Sequence, residues 1–331
     1  AYEILERVVG SEMCIRDSYF SAFTFQYGTE LWAHHPANNS TWLVEDIHHG
    51  SSSNPGWLMH FVYNDVLYFT ARDMMNVHDL WAHNQSNGST WKVASFGMAP
   101  WTHPGENCEF LIGDVLYFDA DNDLNGRELM AYNLKTDTHW VVADIVPGMT
   151  SSNPGANMSI LVGDTIYFDT NEQYLYAHST TNHTTWMVHQ FTDALPQDSV
   201  KPVAIGSEFF YKIEEEESHL ELWAYNTENH SSWMIKRFIP PTSTGTLDIG
   251  IIENVNGILY FEATTEEYGR ELWSYNPMDQ SIWQVANINK ANAGTEGPDG
   301  NTMPGYSLSL IHNGYYFFSA TDGEYGNELW K

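Results

Sequence analysis

From Tyr19 onward the apolar residues of this chain alternate with polar ones in short runs, and the runs return in a fixed order. One run closes on a small or polar residue. It reads YFSA (Tyr19–Ala22), LYFTA (Leu67–Ala71), LYFDA (Leu116–Ala120), IYFDT (Ile166–Thr170), FFYKI (Phe209–Ile213), LYFEA (Leu259–Ala263) and YFFSA (Tyr316–Ala320). Its aligned aromatics stand at 19, 68, 117, 167, 210, 260 and 317, so the steps are 49, 49, 50, 43, 50 and 57 residues. A second run follows each time, as ELWAHH at Glu30, DLWAHN at Asp79, ELMAYN at Glu128, YLYAHS at Tyr174, ELWAYN at Glu221, ELWSYN at Glu271 and ELWK at Glu328. A third opens on Trp after a polar turn, as in TWLVEDI (Thr41–Ile47) and TWKVASF (Thr90–Phe96). A Pro-Gly loop then leads to a fourth, such as EFLIG (Glu109–Gly113).

Alternation with period two, in runs rich in aromatic and β-branched residues, predicts strands. The Asn, Gly, Asp and Ser between them suit tight turns. No stretch carries the period of a long amphipathic helix. A unit of four short antiparallel strands cannot bury both its faces alone, whereas radial stacking buries them, with Trp and Tyr between the units. The pattern therefore predicts an all-β chain, a β-propeller of roughly 50-residue repeats. Lettering strands a to d outward from the axis, the YF run is b, the ELW run c and the TW run d. Seven blades of four strands are expected, the first limited to b, c and d (19–47) and the last to a, b and c (304–330). Six or eight blades remain alternatives.

Residues 1–18 share nothing with the repeat, and SEMCIRDS resembles translated sequencing-adaptor read-through. Residues 1–18 are thus expected to be a non-native or disordered leader, with a genuine strand or helix as the alternative. Residues 19–331 are expected to form a single propeller domain, monomeric and part of a longer chain.

Charge narrows the partners. With 43 Asp and Glu against 13 Lys and Arg the formal charge is −30. Nucleic acid needs basic patches that displace counterions, and none is offered. Cationic partners are favoured. The two cysteines, Cys14 and Cys108, make no disulfide framework. No apolar run reaches the ~20 residues that span a bilayer, so membrane insertion is not expected.

Three segments resemble the ELWxxDGT-repeat proteins: ATDGEYGNELW (Ala320–Trp330), ATTEEYGRELW (Ala263–Trp273) and ADNDLNGRELM (Ala120–Met130). DIVPGMTSSNP (Asp144–Pro154) is similar to that family's second motif. The likeness covers nearly all of 19–331. The Asp-Gly-Thr that should follow ELW is absent, and His-Asn or Tyr-Asn stands there. The resemblance implies a secreted or cell-surface location and implies no reaction.

In four antiparallel strands the b–c and d–a loops leave at one end. The b–c loops are acidic, so that end is expected to be an electronegative binding face carried by Glu214, Glu215, Glu216, Glu266, Glu267, Asp322 and Glu324. The loop at 121–126 opens like a calcium loop, making Asp119, Asp121, Asp123, Asn125 and Glu128 candidate Ca²⁺ ligands. The alternative is an acidic hairpin capping its own amides. The Glu of ELW recurs in most repeats (Glu30, Glu128, Glu221, Glu271, Glu328), which reads as a structural bond to loop amides rather than catalysis. His34, His83 and His178 interchange with Tyr132, Tyr225 and Tyr275, which reads as packing. Sequons at Asn39, Asn87, Asn182 and Asn229 fall in c–d turns, at the opposite end. No nucleophile elbow, phosphate loop or zinc-protease motif appears. The chain is thus read first as a module binding a protein or glycan, Ca²⁺-assisted in one version. The rival readings are a carbohydrate-active or other hydrolytic propeller with axial carboxylates, and a structural segment of a large adhesin.

Overall fold

The computed structural model describes residues 17–98, 102–171, 173–191, 201–215, 219–238, 249–265, 267–289, 302, 304–305 and 307–331. Among these every regular element is a strand, and no helix long and apolar enough to cross a membrane occurs. The strands form seven antiparallel sheets, taken in chain order. Sheet 1 holds β1 (Ser18–Thr24), β2 (Gly28–His35) and β3 (Ser40–Glu45). Sheet 2 holds β4 (His60–Tyr63), β5 (Val66–Arg72), β6 (His78–Asn84) and β7 (Ser89–Ala94). Sheet 3 holds β8 (Glu109–Ile112), β9 (Val115–Asn122), β10 (Gly126–Asn133) and β11 (Thr138–Ala143). Sheet 4 runs from β12 (Ser159–Val162) through β13 (Thr165–Thr170) and β14 (Tyr174–Ser179) to β15 (Thr185–Gln190). Sheet 5 comprises β16 (Val203–Ile205), β17 (Glu208–Glu215), β18 (His219–Asn226) and β19 (Ser231–Phe238). Sheet 6 comprises β20 (Ile249–Val255), β21 (Ile258–Thr265), β22 (Gly269–Asn276) and β23 (Ser281–Gln284). Sheet 7 holds β24 (Ser309–His312), β25 (Tyr315–Thr321) and β26 (Asn327–Trp330).

Strand b pairs with strand c in every sheet, and the three-stranded sheets are the first and the last. β1 opens at Ser18, the last residue of the expected leader, while residues 1–16 lie outside the described set. The contacts divide the chain into two compact units, Ala1–Pro154 and Gly155–Lys331. Sheets 1 to 3 belong to the first and sheets 4 to 7 to the second.

The turns follow from local chemistry. The a–b hairpins of sheets 2, 6 and 7 close on Asn64–Asp65, Asn256–Gly257 and Asn313–Gly314, with both central residues at positive φ. That is the type I′ geometry whose twist matches the strands, and Asn and Gly tolerate it best. In the c–d ladder the register slips at one place in five sheets, after Leu31, Leu80, Leu129, Leu175 and Leu222. The extra residue on strand d is Val44, Val93, Val142, Val188 or Ile235. A bulge re-aims one side chain, and here Val44, Val93, Val188 and Ile235 pack against the apolar clusters.

Each cluster draws on two consecutive sheets of one unit. In the first unit Leu31 and Tyr19 meet Phe69 and Leu67, and Leu80 and Tyr68 meet Phe118 and Tyr132. In the second, Tyr167 and Leu175 meet Phe209 and Tyr225, Leu222 and Phe238 meet Phe261 and Trp273, and Leu272 meets Phe318. Strands b and c supply most of these side chains. The Trp residues that open strand d fill less of the core than their hydrophobicity suggests. Trp42, Trp91, Trp140 and Trp283 stand 38–40% exposed, because strand d has no further strand beyond it. His34, His83 and His178 each bond through Nδ1 to the Thr paired across the c–d ladder, Thr41, Thr90 and Thr185, at 2.8–2.9 Å. The Tyr132 hydroxyl at the same position donates to Asp137.

Candidate functional site

Glu30, Glu128 and Glu271, which recur on strand c, are engaged by loop donors. Glu30 accepts from Ile47 N (3.0 Å), Ser53 N (2.9 Å) and Ser53 Oγ (2.6 Å). Glu128 repeats this with Ile145 N, Ser152 N and Ser152 Oγ at 3.2, 3.1 and 2.6 Å. Glu271 does so with Ile288 N, Asn289 N and Thr302 Oγ1. Burial pushes Glu128 and Glu271 up to about 7, against the pull of these donors. Glu221 is held differently, by Arg237 Nε at 2.8 Å and Trp223 Nε1 at 2.7 Å.

The loops that these glutamates hold stitch consecutive sheets together. Ser53 N donates to Thr29 O, and Ser53 O accepts from Arg72 N. Thr302 links Arg270 O and Thr321 N in the same way, and Thr102 O accepts from Asp121 N while its hydroxyl donates to His78 O. The pivot is a buried Ser or Thr two residues before Pro-Gly, at 53, 102, 152 and 302. In sheets 1 and 3 strand c opens on a Gly that lets the loop come close. A Cβ on Gly28 would lie 2.3 Å from Ser51 O, and one on Gly126 would lie 2.8 Å from Met149 O; both have positive φ.

A second clamp sits on strand b. Asp119 Oδ1 accepts from Asn107 N (2.9 Å) and Cys108 N (3.0 Å), and Oδ2 accepts from Asn107 Nδ2. Arg127 Nη1 adds a 2.5 Å ion pair to Oδ2, and Nη2 reaches Glu106 at 3.1 Å. Asp169 takes Asn157 N and Met158 N in the same manner. Ser319 and Thr70 do so with one hydroxyl oxygen.

These bonds decide the calcium reading. Asp119 pairs with Leu129 and Asp121 with Arg127 across β9 and β10, whereas Glu128 pairs with Ala120. Side chains alternate along a strand, so Asp119 and Glu128 lie on opposite faces of the sheet. Asp123 Oδ2 accepts Met98 N, Asn125 Nδ2 donates to Asp144, and Asn122 Oδ1 caps Leu124 N and Asn125 N. The five candidate ligands are therefore not brought together, and no cluster of three or more His, Cys, Asp or Glu poised for a metal occurs among the described residues. Asp322 likewise caps Glu324 N and Tyr325 N. Of the expected binding-face residues, Glu267 and Glu324 are exposed, Glu216 and Glu266 lie outside the described residues, and so do the side chains of Glu214 and Glu215.

Sheet 2 breaks the pattern. Thr70 stands where sheet 3 has Asp119, Arg72 where it has Asp121, and His78 where it has Arg127. His78 is 1% exposed, with both ring nitrogens unpartnered, and Arg72 Nε is buried without a partner. The rings of His78 and His103 lie 4.8 Å apart, edge to face, and Trp57 lies 5.7 Å from His78 and 6.1 Å from His103. Trp57 remains 59% exposed. Burial, with His103 and Arg72 nearby, lowers His78 to about 4, so it is neutral at pH 7. Asp79, in place of the strand-c Glu, pairs with Lys92 at 2.6 Å, which also holds Asp73 at 2.8 Å. The sequence marks this cluster only by its departures from the repeat.

No family model matches the chain, and no curated protein matches it. Among solved structures it is similar to a computationally designed protein, Ika8, at 6% identity and a TM-score of 0.52, over 96% of this chain and 81% of that one. An oligogalacturonate lyase in complex with manganese is similar at 12% identity and a TM-score of 0.47, over 95% of this chain and 84% of that one. At these identities the likeness is one of fold.

The same end of the first unit carries large apolar side chains in solvent. Phe25 in the β1–β2 turn, Met74 and Met75 between β5 and β6, and Leu124 between β9 and β10 are exposed at their tips, as are Met98 and Met149 in the d–a loops.

Proposed function

We propose that the chain is a seven-bladed propeller of the ELWxxDGT-repeat kind, secreted or surface-borne, that binds a protein or glycan through its b–c and d–a loops. Support for the radial arrangement comes from consecutive sheets sharing apolar clusters, and from strands a of sheets 4, 5 and 6 (β12, β16 and β20) lying beside one another. The binding reading rests on one observation. Glu30, Glu128 and Glu271 are occupied by donors of the d–a loops, while the b–c loop tips present exposed Phe25, Met75 and Leu124. Rigid loops with apolar tips in an acidic field suit a partner with apolar and cationic character.

The test uses the full chain, labelled and applied to arrays of glycans and of extracellular proteins, beside the variant F25S/M75S/L124S. A partner captured by the parent and lost by the variant at unchanged melting temperature is the expected result. Capture unaffected by the three substitutions would count against the loop end. A hydrolytic reading has one specific point in its favour, the neutral His78 beside Arg72 and His103. Turnover of a polysaccharide panel that H78Q abolishes would establish it instead.

A further inference from the structure

We propose that Arg72, His78 and His103 form a binding site for a monovalent carboxylate borne on a ring, with the ring lying on the exposed face of Trp57. The site lies at the loop end discussed above but does not use the loop tips, so the two readings stand or fall separately.

Comparison of the repeats exposes it. In sheet 3 the guanidinium of Arg127 is met by Asp119 and Glu106. In sheet 6 Arg270 is met by Glu262 from the adjacent strand, with Nε donating at 3.0 Å. Sheet 2 offers Thr70 at that position, so Arg72 and His78 face the interior without an acid of their own. An unpartnered buried donor is destabilising. Two unmet donors in one spot, Arg72 Nε and the protonated ring nitrogen of His78, are hydrogen-bonding capacity that an external acceptor relieves.

Charge and shape select the ligand. One guanidinium and a neutral imidazole balance one negative charge, and the guanidinium fork matches a carboxylate. Glu106 lies 3.3 Å from His103 Nδ1, and Asp73 follows Arg72 in the chain and pairs with Lys92; these acids disfavour a dianion. Trp57, beside both imidazoles and largely exposed, supplies an apolar platform for a flat ring. A bound carboxylate favours the charged form of His78, against Arg72 and His103 and alongside Glu106 and Asp73, so affinity rises as pH falls from 8 toward 5.5.

Calorimetry on the full chain with benzoate, glucuronate, acetate and inorganic phosphate tests this. Saturable binding of benzoate, glucuronate or both is expected, with a Kd of about 1 mM or tighter. Acetate should bind at least roughly fivefold more weakly for want of the stacked ring. Benzoate alone identifies an aromatic acid as the natural class, glucuronate alone a sugar acid. R72Q should weaken binding roughly tenfold or more. W57A, at an exposed position that leaves folding intact, should weaken it roughly fivefold. No saturable heat from either ring acid, phosphate binding as tightly as both, or unchanged affinity in R72Q and W57A would each overturn the proposal.

Discussion

At the loop end of its second strand sheet 3 carries Asp119 and Asp121, and Arg127 opposite them. Sheet 2 carries Thr70, Arg72 and His78 at the same places. In sheet 3 the acid is saturated by two backbone amides, an Asn side chain and a guanidinium, and the group is a strut. In sheet 2 the hydroxyl of Thr70 holds the loop amides of Leu58 and Met59 and the cationic residues lack an acid. A repeat protein can thus retain the mechanical bond at a position and vary the charge there. Function is to be sought where the charge pairing fails, and stability where it holds.

The largest blow to this contrast should come from sheet 3. D119A leaves Arg127 and two loop amides unanswered, and we expect a loss of about 3–5 kcal/mol in denaturant unfolding. A change below about 1 kcal/mol would show that the strut is ornamental. Next in size, E128Q replaces a carboxylate that receives three hydrogen bonds with an amide and should cost about 1–3 kcal/mol. Because burial raises Glu128 to about 7, its contribution is greatest below the ordinary carboxylate range and fades as pH rises through 7. E128Q should therefore compare worst with the parent near pH 4.5 and narrow the gap by pH 8.

His78 has the opposite sign. Its pKa is lowered on folding to about 4, so its contribution is intact above pH 6.5 and is lost as pH falls toward 4. Relative to the parent, H78Q should gain about 2 kcal/mol between pH 8 and pH 5. Equal pH profiles would mean that the imidazole is not held neutral. The smallest expected effect is the most pointed. T70D gives sheet 2 the acid of sheet 3, and should raise stability by about 1 kcal/mol and move the His78 titration upward in NMR. It should also abolish carboxylate binding.

Much of the architecture could be read without coordinates. Period-two runs at steps near 50 residues located strands b, c and d, and parity fixed which loops share an end. The occupied state of Glu30 and Glu128 was foreshadowed by their recurrence, since a residue that returns in most units has a role common to them. D-x-D-x-N-G specifies residue types at a spacing, whereas coordination requires the side chains to converge. In a hairpin, residues 119 and 128 fall on opposite faces once the register pairs Leu129 with Asp119. The strand-d tryptophans misled for a related reason, as hydrophobicity says nothing about which strand of a sheet is its outer edge.

The sequence by itself determined the strands, their order within each sheet and the turns, because these depend on alternation and on the φ preferences of Asn and Gly within a few residues. Tertiary structure alone decided which polar groups are satisfied. The donors to Glu30 lie 17 and 23 residues away and those to Asp119 11 and 12, and only the fold brings them close or, around His78, leaves the nitrogens without a partner.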